Sequence, residues 1–123
     1  MEQIRSWGYH LMLDCKACDI PSIMDYDNVY KFAKQLVEDI EMVAFGEPQI
    51  VNFGSGNKAG FTLVQLIETS NICAHFCNED GNTYIDVFSC KDFSIDKVVG
   101  LVEKFFKPAR IRTTFVYRDA NDE

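Results

Sequence analysis

A chain of 123 residues, 47% apolar and 13% aromatic with 25% charged, carries the material for one hydrophobic core and not for two. Twelve basic against nineteen acidic residues leave a net charge of −7, and no lysine or arginine run exceeds a pair, which disfavours a nucleic acid partner. Five cysteines are an odd number, the first six residues lack the basic start and apolar run of a signal peptide, and no window reaches the roughly 20 apolar residues of a membrane span, so a soluble cytoplasmic domain with reduced thiols is expected.

Along the chain, Gly8 to Cys15 is mostly apolar and reads as a first strand, which Asp19-Ile20-Pro21-Ser22 breaks. From Asp27 the apolar positions Val29, Phe32, Ala33, Leu36, Val37 and Ile40 recur at helical spacing, with Lys31, Lys34, Glu38 and Glu41 on the opposite side. Gly46-Glu47-Pro48 closes this amphipathic helix. Gln49 to Phe53 reads as a second strand, and the three glycines of 54–60 mark a loop. Phe61 to Ile67, Asn71 to Cys77 and Thr83 to Cys90 form three further strands, the last two joined through the turn-rich Asn78-Glu79-Asp80-Gly81-Asn82. Ser94 suits the N-cap of a second helix that runs to Phe106 and stops at Lys107-Pro108. Arg110 to Tyr117 alternates as a last, edge strand. The order predicts one α+β domain, a two-layer sandwich with two helices on one face of a mostly antiparallel sheet.

Two constellations bear on chemistry. Cys15-x-x-Cys18 and the period-2 set Cys73, His75 and Cys77 are zinc-competent residue types, but same-face strand neighbours lie too far apart to share one ion comfortably, and free cysteines are ordinary core residues. No metal is therefore assigned. Ser70, His75 and Cys90 all fall at strand positions that could converge as a nucleophile with its base, although a satisfied histidine and a buried thiol account for the same spacing. No phosphate-cradling, dinucleotide, zinc-protease or calcium-loop motif occurs.

The segments Gly8-Tyr9-His10-Leu11, Thr69 to His75, Ile85 to Cys90 and Phe105-Phe106-Lys107-Pro108 together resemble the small prokaryotic S-adenosylmethionine decarboxylases, in order and over nearly the whole chain. In that family a proenzyme cleaves itself before the serine of Glu-Ser-His, and the serine becomes a pyruvoyl group. The resemblance implies cleavage between Thr69 and Ser70, giving a β chain of residues 1–69 and an α chain of 70–123 with a pyruvoyl cofactor derived from Ser70. It further implies Thr62 and His75 as assistants in the cleavage, Cys90 as the proton donor to substrate Cα, and Glu79 as a ribose ligand, with Asp86 and Asp14 as lesser candidates beside the plain alternative of polar strand positions. A free thiol is mostly protonated at neutral pH, as that donor must be. The pyruvoyl ketone would take up the substrate's amino group and act as electron sink when carbon dioxide departs.

The family pattern is departed from at three places. Glu-Ser-His is Thr69-Ser70-Asn71, Trp-Pro-Glu is Cys77-Asn78-Glu79, and the aromatic that stacks on adenine is Gly56, leaving Trp7, Phe53 or Phe61 as substitutes. The expected activity is decarboxylation of S-adenosylmethionine in polyamine (spermidine) biosynthesis by a homodimer with shared sites. Two alternatives accompany it: the same chemistry on ornithine or arginine, which a −7 charge also suits, or an uncleaved homologue that binds a ligand or partner subunit.

Overall fold

A computed structural model describes residues 6–121. Six strands and three α-helices follow in the order β1 (Gly8–Lys16), α1 (Ile20–Ile23), α2 (Tyr26–Asp39), β2 (Gln49–Phe53), β3 (Gly60–Ile67), β4 (Ser70–Phe76), β5 (Thr83–Ser89), α3 (Ile95–Phe106) and β6 (Arg110–Arg118), with one 3-10 turn, Gly56–Lys58, between β2 and β3. The strands form one sheet in the order β2-β3-β4-β5-β1-β6, antiparallel at every pairing rather than mostly so. β6 is an edge strand, as its alternation suggested.

The helices begin where their capping chemistry dictates. The Asp25 carboxylate accepts the Asp27 and Asn28 backbone N–H groups at the start of α2, and Ser94 Oγ accepts the Lys97 N–H at the start of α3. Lys107, in a left-handed conformation, ends α3 where glycine is more usual. The segment 19–22, expected only to break β1, instead forms α1. Asp19 accepts from the Ser22 N–H and hydroxyl, and Pro21 occupies an early helical position where its missing N–H costs nothing.

α2 and α3 lie side by side on one face of the sheet. Val29, Phe32, Ala33, Leu36 and Val37 from α2 and Val98, Leu101, Val102 and Phe106 from α3 are buried against Leu11, Leu13, Leu63, Ile72, Ala74, Phe76, Ile85 and Val87 from the strands. Phe106 sits at the centre, its ring 4.7 Å from Phe32 and 5.0 Å from Phe76. Asn28 Nδ2 donates to the carbonyls of Ser22 and Phe105, stitching the three helices together.

The alternate residues of each strand point to the other face, which no element among the described residues covers. Cross-strand register sets Thr62, His75, Tyr84 and Asp14 in one row and Leu66, Asn71, Phe88, His10 and Val116 in another. Leu66, Tyr84, Val51 and Val116 are exposed there.

Candidate active site

β3 and β4 are joined by the two-residue turn Glu68–Thr69, so Ser70 is the first residue of β4, facing Ile67 on one side and Ser89 on the other. Its φ of 158° is nearly extended. The carbonyl oxygen of Thr69 accepts the backbone N–H of Cys90 at 3.0 Å, and Asn71 Nδ2 donates to Ser70 Oγ at 3.2 Å. Behind the turn, Ser89 Oγ donates to Thr69 Oγ1 at 2.8 Å, which in turn donates to Met42 Sδ at 3.2 Å. Ser89 is fully buried and its Oγ also accepts the Lys91 N–H. The chain after α2 seals the outside of the turn, with Glu68 N–H donating to the Val43 carbonyl and Phe45 N–H to that of Leu66. The Thr69-Ser70 bond is thus held from three sides, and Cys90 is exposed beside it.

Thr62 and His75 face each other across β3 and β4, with Thr62 Oγ1 3.2 Å from His75 Nδ1. They line a cavity of about 490 Å³ with Phe61, Tyr84, Lys58, Cys77 and Asp80. Glu79 is exposed in the adjoining β4–β5 connection, and its neighbour Asp80, not Glu79, lines the cavity. Burial raises the thiol pKa of Cys77 above its ordinary value, with the Asp80 charge adding to it, and burial does the same at Cys73 with help from Asp86.

These two clusters do not meet within one chain. His75 lies five strand positions beyond Ser70, roughly 16 Å at 3.3 Å per residue. It also points to the open face, whereas strict alternation gives Ser70 the parity of the core residues Ile72 and Ala74. Ser70 and Cys90 both lie at the β3–β4 turn, where Cys90 N–H meets the Thr69 carbonyl, whereas His75 lies apart from them along β4, because an extended strand keeps along-strand neighbours separated. Among the described residues, no three His, Cys, Asp or Glu side chains are close enough to share a metal ion.

The remaining candidates fall elsewhere on the open face. His10 lies between Asp86, whose Oδ1 is 3.0 Å from Nε2, and Arg118, whose guanidinium is 3.1 Å from Nδ1. Asp14 lines a separate cavity with Arg110 and Arg112. Trp7 packs against Phe88, ring centroids 5.7 Å apart, at the Ser70 end of the sheet. Phe61 borders the His75 cavity, and the side chain of Phe53 lies outside the described residues. Spacing gave no hint of Ser89, Met42 or the Cys90 N–H, because their contacts with Thr69 join residues 20 or more positions apart.

Comparisons with known proteins agree with this architecture. The family model for S-adenosylmethionine decarboxylase matches residues 9–119. An S-adenosylmethionine decarboxylase proenzyme of Clostridium botulinum (strain Loch Maree / Type A3) is 28% identical over 108 residues, covering 85% of this chain and 90% of the relative. The one from strain Langeland / NCTC 10281 / Type F is 26% identical over the same shares. The crystal structure of the adenosylmethionine decarboxylase from Aquifex aeolicus VF5 superposes with a TM-score of 0.81 at 21% identity, over 98% of this chain and 97% of that one. Among the described residues no helix is long and apolar enough to cross a membrane. With nearly the whole chain matched by one family model, the protein belongs to the S-adenosylmethionine decarboxylase family.

Proposed function

We infer that the chain is a self-processing, pyruvoyl-dependent decarboxylase of S-adenosylmethionine, serving polyamine synthesis in the cytoplasm. The observation that carries this is the seating of the Thr69-Ser70 bond, in a two-residue turn whose scissile carbonyl already accepts the Cys90 N–H.

That hydrogen bond polarises the Thr69 carbonyl and offers a donor to the oxygen as it gains negative charge. Ser70 Oγ attacks the Thr69 carbonyl carbon, the peptide C–N bond breaks, and an ester with a free Ser70 amine results. Removal of the Ser70 α-proton expels the Thr69 carboxylate from Cβ, leaving dehydroalanine, which water converts through its imine tautomer to the pyruvoyl group and ammonia. Thr69 supplies only the carbonyl, so threonine in place of glutamate is compatible with cleavage. The new terminus at residue 70 is no longer held by residue 69 and is free to turn toward the open face.

The pyruvoyl group supplies an electron sink at residue 70 for loss of carbon dioxide from an α-amino acid. Cys90, exposed at the same turn, returns a proton to Cα, a role its exposure supports. His75 and Thr62, roughly 16 Å away in the same chain, reach this site from a second copy. When two bare sheet faces pack about a twofold axis that crosses the strands, the turn end of one lies over the His75 end of the other. Each complete site then takes Ser70 and Cys90 from one copy and Thr62, His75 and Glu79 from the other. Phe61 and Tyr84 in the His75 cavity, with Trp7 at the turn end, offer the aromatic surface that Gly56 does not. That surface favours a purine-bearing substrate over ornithine or arginine. Release of labelled carbon dioxide from carboxyl-labelled S-adenosylmethionine is expected, with none from ornithine or arginine; the opposite pattern would reject the substrate assignment.

A further inference from the structure

Cys15 and Cys18 take no part in the chemistry above, yet the fold brings them together. Cys15 is the last inward-facing residue of β1 and Cys18 follows the strand's end, at 2% and 4% exposure. Between them Ala17 adopts a left-handed conformation, φ 51°, which turns the chain back at the end of β1 and leaves the two buried thiols as electrostatically coupled neighbours. The turn is clamped from outside: Cys18 N–H donates to the Gly81 carbonyl and Ala17 N–H to Asn82 Oδ1, each at 2.9 Å. A Cβ at Gly81 would lie 2.4 Å from the Cys18 carbonyl oxygen, so the clamp requires glycine there. The pair differs in character. Hydrogen bonds from Cys15 and from Thr83 draw the Cys18 thiol down to about 7 against the opposing effect of burial, whereas the bond to Cys18, burial and the Asp14 charge push Cys15 up. Cys18 is the more acidic of the two and Cys15 the less, the division of labour of a nucleophilic and a resolving thiol. Cys15 also lines an open cavity of about 300 Å³ with Lys16, Arg110 and Arg112, a route for a small molecule to an otherwise buried pair.

We propose that Cys15 and Cys18 are a modification site that closes to an intrachain disulfide on reaction with hydrogen peroxide and reopens with a dithiol reductant. The Cys18 thiolate attacks one peroxide oxygen and the O–O bond breaks, giving Cys18 sulfenic acid and hydroxide, which leaves as water with a solvent proton. The Cys15 sulfur then attacks the Cys18 sulfur, its proton and the departing hydroxide forming a second water. The two sulfurs lose two electrons and the peroxide gains them. Near-complete burial admits an oxidant of this size and excludes bulky disulfides. The clamped turn is bonded directly to the 77–82 connection, which carries Glu79 and Asp80, so closure acts next to the His75 cavity.

Lys16 lies between the two cysteines and makes the test direct. The full-length protein is treated with hydrogen peroxide under native conditions, free thiols are blocked with N-ethylmaleimide, and the unfolded chain is cut with trypsin. Peptides 6–16 and 17–31 should remain joined across the cut, lighter than their sum by about 2 Da, and dithiothreitol should separate them. In a Cys15→Ser variant a dimedone adduct should appear on Cys18 instead. Recovery of both peptides with blocked thiols, with Cys18 as a sulfinic acid, or with either cysteine joined to Cys73, Cys77 or Cys90 would overturn the proposal. None of these readouts depends on decarboxylase activity.

Discussion

Thr69 is the residue on which the proposed cleavage turns, and its neighbours define what each substitution does. Ser70→Ala removes the attacking oxygen, so only an uncleaved chain should accumulate; appearance of two chains would rule out the ester route. Ser89→Ala deletes the buried hydroxyl that orients Thr69 and caps the Lys91 N–H. A lost hydrogen bond of about 1.4 kcal/mol corresponds to roughly tenfold slower cleavage, followed as the ratio of intact to processed chain with time. An unchanged rate would mean that Ser89 serves the core alone. Ser70, Cys90, Thr62 and His75 were singled out in the sequence only through a resemblance to a family, and in the fold Cys90 meets the residue before Ser70 while Thr62 meets His75. Ser89 and Met42 were not legible, since a serine and a methionine in apolar strings look like packing until the turn is seen folded against them.

The elements were the most legible level because each announces itself by period or cap. The stripe from Val29 to Leu36 and the Ser94 cap locate α2 and α3, although α2 ends at Asp39 and not at the expected Gly46-Glu47-Pro48, and the strand pattern places all six strands to within a residue or two. α1 was not, because Asp19-Ile20-Pro21-Ser22 carries the same residues whether it breaks a strand or starts a helix. What decides is the next helix: Asn28 on α2 reaches back to the Ser22 carbonyl. Among the helical contacts, Phe106 joins α2, α3 and β4 at one point, and Phe106→Ala should cost about 3–5 kcal/mol in denaturant unfolding. A loss under 1 kcal/mol would show that the helices dock without it. Gly60, with φ 153°, has the Phe76 carbonyl 1.7 Å from where a Cβ would stand, so Gly60→Ala should disrupt the start of β3 and with it the His75 cavity. Thermal unfolding together with loss of activity checks this.

At the scale of the whole molecule, one side of the sheet is covered by helices and the other is bare among the described residues, with apolar side chains such as Leu66, Val51 and Val116 left in the open. The separation of His75 from Ser70 along β4 has no remedy within a single chain, and no sequence pattern reports how two copies meet. A mixed dimer of the Ser70→Ala and His75→Ala variants holds one site with both groups intact. Co-expressing the two inactive variants should restore about a quarter of the normal activity, because half of randomly assembled dimers are mixed and each has one complete site. No recovery would place the whole site within one copy. The most direct test of the central claim is the intact mass of the purified protein. Two chains, residues 1–69 and 70–123, with a pyruvoyl group at the start of the second, are predicted; a single mass for all 123 residues would contradict it.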